Sequence, residues 1–167
     1  MNHDPRVAEP LLDPMHDHAD ALRRLHEHYQ SMPPVAAMDV TVAAYDGQRL
    51  RLHAPLSTHV NDKGCAFGGS LASMMTLASW GLVSLHVEAA GLKAEVFVAD
   101  SQIRYLAPLF ADLDVEAELA PDSNWPGFLA TLRERGRART GLVARARLPD
   151  GGIATEFTAR YVAIGKA

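Results

Sequence analysis

Asn61-Asp-Lys-Gly64-Cys-Ala-Phe67-Gly68-Gly69-Ser70 opens the stretch that decides the fold. From Gly64 to Val87 there is no Asp, Glu, Lys or Arg, although 22% of the residues in the chain are charged. A helix with no charge on any side is expected to be buried nearly all round. The Gly68-Gly69-Ser70 piece reads as a loop ending at the N-terminus of that helix. The first backbone N–H groups of a helix lack intrahelical partners and sit at the positive end of its dipole, so they can hold an anion or oxyanion. The expectation is a polar site at the mouth of a buried helix.

Working outward, the helix is expected from Ser70 to about Ala90, ended by Gly91. Its small residues Ala72, Ala78, Gly81 and Ala89 would let a sheet approach closely. Before it, His16 to Met32 reads as a helix, with Ala19, Leu22, Leu25 and Tyr29 at helical spacing and Pro33-Pro34 as its stop. Met38–Ala44 and Arg49–Ala54 read as strands joined by the turn signal Asp46-Gly47, with Val40, Val42 and Leu52 on the covered side. After Gly91 the period becomes two. Strands are expected over Lys93–Ala107, Asp112–Leu119, Arg137–Leu148 and Ile153–Ile164, and Asn124–Arg135 reads as a turn followed by a strand start. Consecutive antiparallel strands beside one uncharged helix predict an α+β fold, a sheet wrapped around that helix.

The chain has 167 residues, 48% of them hydrophobic, which fits one domain over residues 15–167 behind a flexible tail, 1–14. A net charge of -4 gives no electrostatic case for nucleic acid. One cysteine, Cys65, excludes an internal disulfide framework, and Met1–Pro14 lacks an apolar signal core, so the expectation is a cytoplasmic protein. The uncharged run is long enough to span a membrane. Ser70, Ser73, Thr76, Ser79, Ser84 and His86 dilute it and no Lys/Arg cluster flanks it, so no membrane association is expected.

The sheet around one long helix, entered through Asn-x-x-Gly-x-x-aromatic-Gly-Gly, resembles the hotdog fold. Asn61-x-x-Gly64-x-x-Phe67-Gly68-Gly69 is similar to the Asn-x-x-Gly-x-x-His-Gly-Gly signature of phenylacetate-pathway thioesterases, with Phe67 where those enzymes carry His. The longer string through Ser70-Leu71, with Leu77-Ala-Ser-Trp80-Gly81 behind it, more closely resembles the thioesterases of the YiiD C-terminal-domain family. The resemblance covers roughly Leu50 to the C-terminus and is specific over Asn61–Gly81. It implies a homodimer or dimer of dimers, with an acyl thioester of coenzyme A or acyl carrier protein bound at a subunit interface, and no cofactor.

A thioester carbonyl gains negative charge on oxygen when attacked, and preorganised backbone donors there are a large catalytic term. The N–H groups of Gly68 and Gly69 are the candidate oxyanion hole, glycine allowing close approach. Asn61 is a candidate to orient water or donate to the carbonyl, or else to tie its loop to the backbone. Ser70 and Thr76 are further catalytic candidates; Gly64, Phe67 and Ser73 are candidate substrate contacts. Thr76 stands seven places after the second glycine, where the resemblance implies an acid. Asp62, Glu88 and Asp100 are the carboxylates left to consider, so the base that activates water is not evident. Decarboxylation of a malonyl thioester needs no base, only oxyanion stabilisation and desolvation of the departing carboxylate, and is the alternative chemistry. A non-catalytic acyl-binding domain is the third reading. Members of the family also occur beside an acetyltransferase domain, for which the residues before Met38 are too few.

Other signals point to packing rather than chemistry. Cys65 lacks an evident partner for a nucleophile, His59 being a weak one. His16, His18, His26 and His28 do not share one helix face, so no metal site is expected and a solvated face is the reading. Arg133, Arg135, Arg137, Arg139, Arg145 and Arg147 would lie on one face of a continuous strand. Opposite Asp112, Asp114, Glu116 and Glu118 they are expected to form a cross-strand charge ladder, leaving one or two for phosphates.

Overall fold

Six antiparallel strands in the order β1-β2-β4-β5-β6-β3 make one sheet, and a 22-residue helix lies across it. In this computed structural model residues 18–166 are described, so the expected tail over residues 1–14 lies outside them, as does His16. The chain runs α1 (Ala19–Ser31), α2 (Pro33–Ala36), β1 (Thr41–Tyr45), β2 (Arg49–Ala54), α3 (Leu56–His59) and α4 (Gly68–Ala89). It continues through β3 (Ala94–Tyr105), β4 (Leu113–Leu119), α5 (Trp125–Arg135), β5 (Arg137–Arg147) and β6 (Ile153–Gly165). This is the hotdog architecture with an added N-terminal helix.

The alternations seen in the sequence set the faces. Leu113, Val115 and Ala117 of β4 are buried, as are Ala138, Thr140, Leu142, Ala144 and Ala146 of β5. Asp46 closes the β1–β2 hairpin by accepting the Gln48 and Arg49 N–H groups at 2.8 and 2.7 Å, with Gly47 at φ 87°. The left-handed turn needs a residue without Cβ there. Part of the expected ladder forms: Arg145 donates to Glu118 at 2.8 Å, Arg49 to the same carboxylate at 3.1 Å, and Arg147 lies 3.7 Å from Glu116, whereas Asp112 and Asp114 lie 3.5 and 3.4 Å from the His53 ring. The bond from Arg145 holds the Glu118 carboxyl below its ordinary range.

Two expectations change. Asn124–Arg135 is not a strand start but a helix, so Arg133 and Arg135 leave the strand series and only Arg137 to Arg147 lie on β5. The odd-numbered arginines imitate a period of two, whereas Trp125, Phe128 and Leu132 bury themselves at helical spacing. Asn124 caps the helix by accepting the Gly127 N–H at 2.7 Å, Pro126 sits in the first turn, and Gly136 ends it at φ 68°. Asn124→Ala is expected to lower stability by about 1 kcal/mol, measured by urea unfolding.

The second change concerns α4. Leu71, Met74, Met75, Ala78, Ser79, Gly81, Leu82, Val83, Leu85 and Val87 are buried, but Gly69 and Ser73 are exposed and Thr76, Trp80 and Ser84 only half-buried. Spaced by three or four residues, these make one open face. The helix is long and apolar enough to cross a membrane, yet 56% of that stretch is buried inside the protein as its core. It packs on β2 to β6, while Tyr29 of α1 covers another side. Tyr29 and Tyr161 are fully buried and donate their hydroxyls to the carbonyls of Leu77 and Thr76, at 2.7 and 2.8 Å. Burial raises both phenol pKa values far above the ordinary range, so both remain donors. Tyr29→Phe is expected to cost about 1 kcal/mol of unfolding free energy, because Leu77 O keeps its helical partner; a calorimetric melt reads it.

Candidate active site

The loop between α3 and α4 is held from both ends. Asn61 N–H donates to Cys65 O at 2.8 Å, and Val60 bridges Ala66. The Asn61 side-chain oxygen accepts from the backbone N–H groups of Lys63 (2.8 Å) and Cys65 (3.2 Å), while its amide nitrogen lies 3.2 Å from the Cys65 sulfur. Thus the Asn61 side chain makes its bonds inside its own loop, as an Asx turn does. Gly64 has φ 81°, which that turn requires of it. Cys65 is buried with Asn61 as its side-chain partner.

From Phe67 the backbone enters the helix. Phe67 is the N-cap, and its carbonyl accepts from Ser70 and Leu71 at 3.0 and 3.2 Å. Among the described residues, the N–H groups of Gly68 and Gly69 have no partner. They are the two adjacent orphan donors that a helix start leaves available. The Phe67 ring, 56% exposed, folds over Gly69, where an added Cβ would come within 2.5 Å of it. Tyr105, at the end of β3, lies on Gly68 and donates its hydroxyl to the Gly68 carbonyl at 2.9 Å. A cleft of about 340 Å³ opens beside Gly68, between Leu71, Tyr105, Leu106 and Leu109.

Ser70 carries a contact that the sequence reading passed over. Its hydroxyl lies 2.8 Å from Nδ1 of His59, a residue only 4% exposed. The other ring nitrogen of His59 lies 2.6 Å from the Met38 carbonyl, and the His59 carbonyl accepts the Phe67 N–H at 2.8 Å. Tyr105 was likewise missed. His59 does stand two places before Asn61, but no spacing rule foretells a pair formed between α3 and α4.

The remaining candidates are placed as follows. Thr76 donates its hydroxyl back to Ala72 O at 2.8 Å, the usual local bond of a helical threonine. Ser73 is exposed on the open face of α4. The three carboxylates considered as bases are paired elsewhere: Asp62 with Lys63 at 2.9 Å, Glu88 with Arg24 at 2.8 Å, and Asp100 with Arg160 at 2.9 Å. The Arg160 bond holds the Asp100 carboxyl below its ordinary range. His28 is exposed and stacks on Trp80 at 5.0 Å, while His18, half-buried, meets Tyr45 edge-on.

The profile of the family described as "Putative thioesterase (yiiD_Cterm)" matches residues 22–165. The chain belongs to this family. Solved structures share the family fold. A "putative thioesterase" from Shewanella oneidensis is 28% identical, with a TM-score of 0.78 over 87% of this chain and 99% of that one. A protein of unknown function from Chlorobaculum tepidum is 24% identical, with a TM-score of 0.83 over 89% and 96%. The E. coli PaaI protein of the phenylacetic acid degradation operon is 14% identical, at a TM-score of 0.65 over 89% and 96%, a likeness of fold alone. The YiiD C-terminal family is a thioesterase family by description, and the chain has its hotdog frame.

Proposed function

We propose that the protein is a thioesterase that hydrolyses acyl-coenzyme A or acyl-carrier-protein thioesters in the cytoplasm. The observation that carries this reading is the pair of unpartnered N–H groups of Gly68 and Gly69 at the start of α4, beside an apolar cleft. Held rigidly by the helix, they suit the oxygen of a thioester carbonyl as it becomes an oxyanion. Phe67 and Tyr105 flank that position, and Ser70, Ser73 and Thr76 follow it along the helix.

The active form is a homodimer, or a dimer of such dimers. β3 is an edge strand of twelve residues with Phe97, Val98 and Tyr105 exposed, and the adjoining face of α4 is open. A long uncovered edge with apolar side chains is a template for pairing, and a second copy satisfies it. Light scattering at micromolar concentration is expected to give two or four times the chain mass; a monomer would remove the interface from the reading.

A malonyl-thioester decarboxylase is the second reading. It is favoured by one feature: no carboxylate lies between Gly64 and Val87, so α4 carries no acid before Glu88 near its far end. Incubation with malonyl, acetyl and long-chain thioesters on both carriers separates the readings by mass spectrometry. Free thiol and free acid are expected. Acetyl thioester from the malonyl substrate would establish decarboxylation instead, and no turnover of any substrate would leave an acyl-binding domain.

A further inference from the structure

Hydrolysis requires something to take a proton from water, and the carboxylates considered for that role are paired elsewhere. His59 is buried at the foot of the site, joined to Ser70 and to Met38 O. A carbonyl oxygen only accepts, so Nε2 of His59 carries the proton that it donates across 2.6 Å. In a neutral imidazole Nδ1 is then bare, and the Ser70 hydroxyl donates to it across 2.8 Å. Ser70 is half-buried and next to the exposed Gly69, so its oxygen links the sealed imidazole to the site.

Resting on the thioesterase reading above, we infer that His59 is the proton acceptor for hydrolysis, working through the hydroxyl of Ser70. Water oxygen bonds to the thioester carbonyl carbon while one of its protons passes to Ser70 Oγ. The Ser70 proton passes to His59 Nδ1 in the same movement. The carbonyl π electrons settle on the oxygen held by Gly68 and Gly69 N–H, and the imidazolium is steadied by Met38 O. Collapse re-forms the carbonyl and breaks the carbon–sulfur bond. The proton returns from His59 through Ser70 to the leaving thiolate, so thioester and water become acid and thiol. His59 fixes the serine and stores the proton; Ser70 is the group that meets the water.

Among the described residues the two ring nitrogens of His59 meet the Ser70 hydroxyl and the Met38 carbonyl, and neither is bonded to a carboxylate. Titratable groups on the segments around it are Asp39 after Met38, Cys65, the Asp62–Lys63 pair, and Asp112, which accepts the Leu56 N–H at the start of α3. The first turn of α4 contributes no acid.

The test is the pH profile of kcat/KM for free-thiol release by the dimeric wild type, His59→Gln, Ser70→Ala and Ser70→Thr, each with its melting temperature. The wild type is expected to rise with pH to a plateau as the base is freed of its proton. His59→Gln and Ser70→Ala are expected to fall about 10²-fold at the plateau and to lose the rise, while Ser70→Thr keeps it. A mere brace would lower activity at every pH and leave the profile in place, which overturns the inference. So would full activity in Ser70→Ala, or an acyl group trapped on Ser70, which would make the serine a nucleophile. A wild type inactive on every thioester sinks the thioesterase reading itself; an active wild type with unaffected variants sinks this inference alone. Nitrogen NMR of wild-type His59 gives a readout without turnover: the Nε2–H tautomer is expected, and Nδ1–H would overturn the relay.

Discussion

Gly68→Pro is expected to cut turnover about 10²- to 10³-fold while leaving the fold intact, the loss seen when one oxyanion donor is removed. Proline deletes the Gly68 N–H and little else. Gly68 is the first residue of α4, the position where a helix accepts proline best because that N–H has no intrahelical partner. Proline also restricts the residue before it to extended backbone, and Phe67 already sits at φ -64°, ψ 130°. The new Cβ would meet the Tyr105 ring at 3.3 Å, so the ring must yield by a few tenths of an ångström. Tyr105 is 56% exposed at the end of an edge strand and has room to do so. A melt within a few degrees of wild type with kcat/KM collapsed is the expected pair of measurements. An unchanged kcat/KM would take the Gly68 N–H out of the oxyanion site.

Gly81→Ala is expected to be the most damaging single methyl in the core, lowering stability by about 1–2 kcal/mol net. Two effects oppose each other. Alanine in a helix interior is favoured over glycine by about 1 kcal/mol through backbone entropy. Against that, the Cβ would lie 2.3 Å from the Tyr29 hydroxyl and 2.8 Å from Leu50 Cδ2. Neither neighbour can step aside cheaply. Tyr29 is fully buried and bonded to Leu77 O, and Leu50 is fully buried on β2. Overpacking a filled core costs about 1–3 kcal/mol, occasionally more, and the tyrosine must also lose or bend its bond. The steric cost therefore exceeds the propensity gain. Urea unfolding at fixed protein concentration measures the difference; stabilisation by the alanine would show that α1 does not close on α4 as described.

How much could be read from the chain differs between its segments for physical reasons. The strands β2, β4 and β5 are legible because period-two burial is a local property: each residue faces the core or solvent according to its parity. α5 was not, although Asn124, Pro126 and Gly136 mark its ends. The arginine spacing across Arg133–Arg139 competed with those caps, and burial of Trp125, Phe128 and Leu132 decided the matter. At the site, Gly68 and Gly69 were legible because an orphan N–H follows from the helix start itself. Asn61 was identified as either catalytic or loop-tying, and the bonds it makes here are those of the loop.

By itself the sequence determined the wrapped sheet, the central helix and the glycine entrance, because periodicity, charge-free length and glycine depend on near neighbours in the chain. Only the tertiary structure decided what meets the entrance. His59 reaches Ser70 from another helix, Tyr105 reaches Gly68 from the far end of β3, and Met38 fixes the imidazole from before β1. The same packing left one face of α4 open although no charge marks that face before Glu88. Such contacts depend on how elements distant in sequence are brought together, and no local pattern encodes that distance.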